Sequence, residues 1–233
     1  MIKSDPEWSM DRPDLRFMVM FASVSHVVQR LTQVFCHYET LVRNDLFLQR
    51  MKQQSGGQTA LLSLRRIITA EFSLLLNALW DAPKNSKDNL DKESIPALLA
   101  YALEPDVVEA LRQSNAFDGR TFVPERDLSR AYRLCHRVTT SRKFINNKNH
   151  RDREYAHRLR QTNSERNGME FETPTHGDLE LLFVLTHWTI RYIEEKIFPA
   201  SERRGIKALL SFHRANTREM WIEFNQRIDT FKE

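Results

Sequence analysis

Cysteine is scarce in this chain of 233 residues. The two cysteines, Cys36 and Cys135, lie far apart and form no C-x-x-C pair. This pattern predicts neither a disulfide framework nor a structural zinc site. Unpaired cysteines are typical of a reducing compartment, so we expect a cytoplasmic location.

Long hydrophobic runs are lacking as well. The most apolar early stretch, FMVMFASVSHVV at 17–28, is too short to cross a bilayer. The residues before it include several acids, whereas a secretion signal would carry positive charge there. The sequence therefore predicts neither a membrane segment nor a secretory signal.

Glycine and proline are absent from five long blocks. These blocks cover residues 14–55, 58–82, 125–167, 178–198 and 206–233. Because both residues are costly inside helices, breaker-free blocks that end at Gly or Pro indicate helices. No strand-like alternation competes with this pattern, so we predict an all-α fold.

The first block has the clearest periodicity. Apolar residues recur three per heptad from Phe17 to Val42, and this stripe is broader than the seam of a two-helix coiled coil. We therefore expect a helical bundle in one domain, over residues 15–200. An N-terminal extension over 1–14 precedes it, and a C-terminal helical extension over 201–233 follows.

One carboxylate lies on the apolar side of the second predicted helix, LLSLRRIITAEFSLLLNALW at 61–80. Glu71 has Ile68, Leu74 and Leu75 three or four residues away. A buried carboxylate needs a partner. We favour a structural ion pair or a helix cap over a catalytic role, and both remain open.

Positive charge is concentrated in one segment. Residues 126–166 hold twelve Lys and Arg against four Asp and Glu, or +8, so the remaining chain carries −4 of the net +4. Four arginines share one face of a predicted helix at 125–138: Arg126, Arg130, Arg133 and Arg137. This segment favours an anionic partner, although a solvated basic face would have the same composition.

The most unusual stretch is RDREYAH at 151–157, which follows NNKNH at 146–150. Asparagine is poor inside helices and good at helix starts, so we predict a break in or near 146–150 and a new helix that starts close to Arg151. In an unbroken α-helix, Arg151 and His157 would lie roughly 240° apart around the axis. At a helix start, Arg151 can turn back, and the terminal amides attract a phosphate.

An arginine with a histidine suits RNA cleavage without a metal. The 2′-hydroxyl of RNA is the nucleophile, His157 can take its proton as general base, and Arg151 can stabilise charge on the phosphorus oxygens. The products would be a 2′,3′-cyclic phosphate and a 5′-hydroxyl. DNA lacks the 2′-hydroxyl and should be inert.

An arginine, a polar residue and a histidine at this spacing, in a helical chain, resemble the motif of the HEPN superfamily (higher eukaryotes and prokaryotes nucleotide-binding). Arg151 matches the arginine, Asp152 the polar residue and His157 the histidine. Over about residues 15–200, the layout is similar to the AbiU-type abortive-infection branch, which implies a HEPN-like bundle of long antiparallel helices. The further segments that carry this likeness are NALWDAP (77–83), SIPALLA (94–100) and THGDLELL (175–182).

The resemblance implies an endoribonuclease that acts as a toxin or phage-defence effector, with Arg151 and His157 catalytic and Asp152 orienting. It also implies a homodimer whose two motifs face each other across a cleft, and an inhibitory antitoxin or regulatory partner. Toxins paired with a nucleotidyltransferase carry a tyrosine two residues after the histidine. Leu159 stands there in this chain, so that form of control is not expected.

Other cations near the motif are assigned to the RNA backbone. They are Lys148, His150 and Arg153, joined by Arg130, Arg133 and Arg137 if the basic helix lies beside the cleft. His150, Glu154 and His157 share a helical face that could hold a metal. No second cluster supports that hypothesis, so we expect a salt-bridged surface and no metal or other cofactor.

Two other functions fit parts of the sequence. A catalytically silent HEPN-like dimer could use the same surface to bind a partner protein or a nucleotide, with the motif merely structural. A sequence-specific DNA-binding protein is a weaker alternative, because no clear helix-turn-helix pattern is present.

Overall fold

The structure is a computed structural model. It describes residues 12–43, 49, 57–82, 93–116, 123–156, 168, 172–198 and 206–230. The α-helices are α1 (Pro13–Arg43), α2 (Gly57–Trp80), α3 (Ile95–Ala102), α4 (Pro105–Ala116), α5 (Pro124–Thr139), α6 (Arg142–His150), α7 (His176–Ile197) and α8 (Ile206–Thr230). A π-helix, Arg151–Ala156, follows α6.

The described residues form helices and no strand, which confirms the all-α prediction for that part of the chain. The HEPN-like arrangement and the domain limits stay predictions. No helix in the described ranges is long and apolar enough to span a membrane. The predicted N-terminal extension lies almost entirely outside these ranges.

Proline and serine fix the start of the short helices. Pro96 lies in the first turn of α3, and Pro105 is the first residue of α4. These positions suit proline because the first-turn amides have no partner within the helix. Ser94 caps α3, and its hydroxyl accepts a hydrogen bond from the Ala97 amide at 3.4 Å.

The chain divides into two compact units. Unit one contains Met1–His26, Leu79–Thr139 and Trp188–Arg203. Unit two contains Val27–Ala78, Thr140–His187 and Arg204–Glu233. The predicted catalytic motif belongs to unit two, and the arginine face of α5 belongs to unit one.

Unit one is built around α3, which is buried along nearly its whole length. Trp80 is fully buried, and the rings of Phe21 and Phe198 lie 4.5 Å apart between their centroids. The α5 residues Leu128, Ala131, Cys135 and Val138 are buried, as their helical spacing predicts. The arginines of α5 therefore lie on its exposed face.

Unit two has an aromatic core that joins three helices. Phe35 of α1 stacks on Phe183 of α7 with ring centroids 3.8 Å apart, and it lies 5.6 Å from Phe72 of α2. Tyr38 contacts Phe72 at 4.9 Å. Since Phe72 is fully buried and contacts all three other rings, it holds the centre of this core.

His187 is a partly buried histidine at the edge of the same core. Its Nε2 lies 2.8 Å from Thr32 Oγ1, and the Thr32 hydroxyl donates to the Val28 carbonyl at 2.7 Å. Because the Thr32 proton is used in that bond, His187 Nε2–H is the donor to Thr32. Burial lowers the pKa of His187 to about 4, which favours the neutral ring.

Replacing Phe72 with alanine should destabilise the protein by about 3–5 kcal/mol, because it removes the central ring and leaves a cavity. Chemical denaturation measures the loss. Leu74→Ala on the same helix is the control, and its partly exposed side chain should cost much less. Equal losses in the two variants would contradict the central position of Phe72.

The low pKa of His187 predicts a pH-dependent stability. The unfolded histidine titrates near 6.5 and the folded one near 4, so the unfolded state binds more protons between these values. The His187 contribution should therefore be complete above pH of about 6.5 and should fall by roughly 2–3 kcal/mol as the pH approaches 4.

Denaturation of the wild type and of His187→Gln at a series of pH values isolates this contribution. The difference between their free energies of unfolding should shrink or reverse as the pH falls. A difference that is constant from neutral to acid pH would show that His187 is not kept neutral by burial.

Candidate functional site

The asparagines before the motif lie inside a helix. Ser141 caps α6 by accepting from the Phe144 amide at 3.2 Å, and the helix continues through His150 directly into the π-helix. The prediction of a break in or near 146–150 is therefore wrong, because the helical run is continuous and only its geometry changes at Arg151. So is the predicted helix start, because the Arg151 amide donates to the Asn147 and Lys148 carbonyls and is not available to a phosphate.

Tertiary partners explain why asparagine is tolerated in α6. Asn147 is fully buried, and its Oδ1 accepts a hydrogen bond from Ser73 Oγ of α2 at 2.7 Å. Asn146 donates to Glu172 Oε2 at 2.9 Å. Since these amides bond to distant residues, they do not compete for the backbone of their own helix, and the low helix propensity is overridden.

A buried polar layer thus joins α2 to α6. Asn77 is fully buried one turn after Ser73, and its Nδ2 donates to the Ser73 carbonyl at 2.8 Å. Ser73, Asn77 and Asn147 therefore form a connected set. At the other end of α6, Lys143 pairs with Asp178 of α7, so α6 is held by contacts at two places before the motif begins.

The first six residues of the motif, Arg151–Ala156, form the π-helix. Such turns use i→i+5 hydrogen bonds, are rare, and occur frequently at functional sites. Each turn takes more residues than an α-helical turn, so the angular separation expected for an unbroken α-helix does not apply after Arg151. His157 lies outside the described residues, and its catalytic role stays a prediction.

Arg151 and Asp152 form an ion pair in a mostly buried setting. Arg151 Nε donates to Asp152 Oδ1 at 2.7 Å, and Arg151 Nη2 lies 2.5 Å from the same oxygen. The side chains are only 17% and 19% exposed, respectively. Asp152 therefore fixes the guanidinium, and Arg151 still has donors beyond the two used here.

Lys148, His150 and Arg153, the predicted backbone-binding cations, are all half-buried near the motif. Burial lowers the pKa of His150, and the nearby Glu154 partly offsets that effect. His150 is therefore biased towards the neutral form near neutral pH. The RNA-binding role of these three residues stays a prediction.

The α5 arginines are exposed, as predicted, and they lie in unit one. Arg130 contacts the ring of Tyr192, a residue that the sequence analysis missed. Trp188, Tyr192 and Lys196 follow one another at intervals of four along α7. That spacing was the available signal, but aromatic residues at helical spacing usually indicate core.

Glu71 has the ion-pair partner that the sequence predicts. Arg30 Nη2 lies 2.7 Å from Glu71 Oε1, and Nε adds a second contact at 3.2 Å. The expected burial is wrong, because the Glu71 side chain is 38% exposed. An exposed pair of this kind contributes little stability.

Neither the two cysteine thiols nor the predicted metal ligands provide a further candidate site among the described residues. Burial raises the pKa of Cys36 to about 11 and that of Cys135 to about 12, so neither is an activated nucleophile. Among the described residues, no three His, Cys, Asp or Glu side chains are grouped to hold a metal ion. The triplet His150, Glu154 and His157 includes one residue outside them and stays a hypothesis.

No protein-family model, curated protein or solved structure matches this chain. The resemblance to the HEPN superfamily therefore stays a prediction from the motif and the helical pattern of the sequence.

Replacing Ser73 with alanine should destabilise the protein by about 1–3 kcal/mol, because Asn147 Oδ1 would lose its donor while remaining buried. Chemical denaturation measures the change. Ser63→Ala, an exposed serine on the same helix, is the matched control and should be nearly neutral. Equal stability of both variants would mean that the bond between α2 and α6 does not hold the layer.

Proposed function

We propose that this chain is a metal-independent endoribonuclease of the HEPN type that acts as a toxin or phage-defence effector. The observation that carries the proposal is the ion pair of Arg151 and Asp152 on a π-helix. An arginine that is merely solvated on a helix surface would not be mostly buried and fixed by its neighbour. The pair is instead held in one position, as a site that stabilises a developing charge requires.

Arg151 is suited to stabilising the transition state. Its guanidinium carries a permanent charge, and two contacts with Asp152 leave donors for the non-bridging oxygens of a phosphate. In a mostly buried setting, the charge acts through a lower effective dielectric than in water. Preorganised donors of this kind typically contribute about 10²–10³ in rate.

His157 is the proposed general base. It takes the proton of the 2′-hydroxyl, and the 2′-oxygen attacks the adjacent phosphorus. The bond from phosphorus to the 5′-oxygen breaks, that oxygen takes a proton from solvent and leaves as a hydroxyl, and His157 releases its proton to solvent. The products are a 2′,3′-cyclic phosphate and a 5′-hydroxyl, with no net oxidation or reduction.

The buried polar layer between α2 and α6 holds the helix that leads into this site. Asn147 lies four residues before Arg151 in the same helical run, and its bond to Ser73 limits rotation of α6 about its axis. Catalytic side chains must be held within a fraction of an ångström, and rigid supporting contacts supply that precision. Loss of the layer should therefore lower activity before it abolishes folding.

Purified protein should cleave RNA in excess EDTA, and Arg151→Ala should be at least about 100-fold slower because it removes the charge-stabilising donor. Arg151→Lys should also be strongly impaired, because lysine keeps the charge but loses the planar fork. His157→Ala should be inert. The wild-type rate should follow one titration near neutral pH, as expected for a histidine base.

Arg218→Ala, an exposed arginine on α8, is the matched control and should cleave like the wild type. Product ends should carry the cyclic phosphate. If wild type, Arg151→Ala and His157→Ala are equally inert while folded, the ribonuclease proposal fails. The silent interaction module would then be the better account of the motif.

We further propose that the active species is a homodimer in which Arg151 of one subunit acts with His157 of the other, under the control of an inhibitory partner protein. The prediction is that mixing Arg151→Ala with His157→Ala, after exchange of subunits, restores cleavage. Each mixed dimer would hold one intact composite site. Mixed samples that stay inert, although mass measurement shows mixed dimers, would contradict the shared site.

A further inference from the structure

A stacked aromatic pair lies on α7 in unit one. Trp188 and Tyr192 are one helical turn apart, and their rings are 5.3 Å apart between centroids with an angle of 13° between the planes. The Trp188 residue is 43% exposed, which is unusual for an indole in a small domain. An aromatic surface is therefore presented to solvent at this place.

Cations lie beside the Tyr192 ring of that pair. The Arg130 guanidinium lies 5.8 Å from the centroid of the Tyr192 ring, and Lys196 Nζ lies 5.9 Å from it. Arg126 and Arg133 extend the charge along the same face of α5, and all four cations are exposed. We call this set, with Trp188 and Tyr192, the α5–α7 surface.

The acids nearby are already engaged. Asp127 is 5% exposed, and its Oδ1 accepts from the Tyr192 hydroxyl at 3.4 Å and from Arg126 Nε at 3.3 Å. Glu195 is paired with Arg191 at 2.5 Å on the same helix. The buried carboxylate thus fixes the Tyr192 ring from below, while the exposed charges beside the aromatic pair are predominantly positive.

We infer that the α5–α7 surface binds single-stranded nucleic acid through its bases and phosphates. Exposed aromatic rings stack with unpaired bases, and adjacent cations follow the phosphate backbone without reading sequence. In a duplex, the base faces are stacked on one another and are not available to the aromatic rings. Single strands should therefore be preferred. The inference goes beyond the proposed ribonuclease, because binding here needs neither a 2′-hydroxyl nor the motif of unit two.

The test uses a fluorescently labelled oligothymidylate, which the protein cannot cleave because it lacks the 2′-hydroxyl. Anisotropy at low salt gives the dissociation constant. Trp188→Leu keeps an apolar side chain but removes the stacking ring, and it should weaken binding about tenfold. Tyr132→Ala is the matched control: it removes an aromatic residue of α5 that is also 43% exposed but lies off the arginine face.

A salt titration tests the charge contribution. Arg130→Gln should weaken binding to all single strands and should reduce the slope of log affinity against log salt by about one. Arg112→Gln is the control of equal charge change, since Arg112 is already engaged by Glu109 and Glu125 on another helix of unit one. Its slope should match the wild type.

The inference is overturned if Trp188→Leu and Arg130→Gln bind like the wild type, or if unlabelled duplex competes as well as unlabelled single strands. The two proposals fail separately. A protein that binds oligothymidylate through this surface but cuts no RNA upholds the inference and removes the ribonuclease. A protein that cuts RNA but shows no effect of either variant on binding does the reverse.

Discussion

The burial of amide side chains on α6 is the constraint on which the motif region depends. A fully buried asparagine is destabilising unless its polar atoms find partners, at a cost of about 1–3 kcal/mol for each lost bond. Ser73 supplies a partner for Asn147 Oδ1 from a neighbouring helix, whereas Asn147 Nδ2 has no partner among the described residues. Because the bond holds α6 against α2, it limits the rotation of the helical run that carries Arg151.

This restraint on α6 matters because the chain changes helical geometry at Arg151. In the π-helix, Arg151 and Asp152 are mostly buried and form an ion pair with each other. On an exposed α-helix, both side chains would be solvated. Asp152 then holds a guanidinium that keeps donors for a phosphate. The same local geometry suits charge stabilisation on a phosphate, and the proposed ribonuclease chemistry needs that stabilisation most.

Much of the fold was predictable because its signals are local. The absence of Gly and Pro from long blocks, together with the stripe from Phe17 to Val42, indicates helices without knowledge of their partners. The site was less predictable. Asn146 and Asn147 indicate a break when they are considered alone, and they stay helical only because Glu172 and Ser73 bond to them. Sequence spacing cannot supply such long-range partners.

The aromatic pair on α7 was missed for a related reason. Trp188 and Tyr192 have the spacing of core residues, and nothing local shows that Trp188 stays exposed beside the arginines of α5. The α5 arginines were predictable as a charged face, since their own helix sets that periodicity. Which residues lie beside this arginine face depends on packing between helices that are distant in sequence.

If RNA supplies its own nucleophile to this site, one chemical change in the substrate should stop the reaction. The measurement is cleavage in EDTA of a synthetic RNA with a single 2′-deoxy nucleotide on the 5′ side of a mapped cleavage position. We expect cleavage to disappear at that position and to continue at the others. Undiminished cleavage at the substituted position would show that the nucleophile is not the 2′-hydroxyl and would contradict the proposed roles of Arg151 and His157.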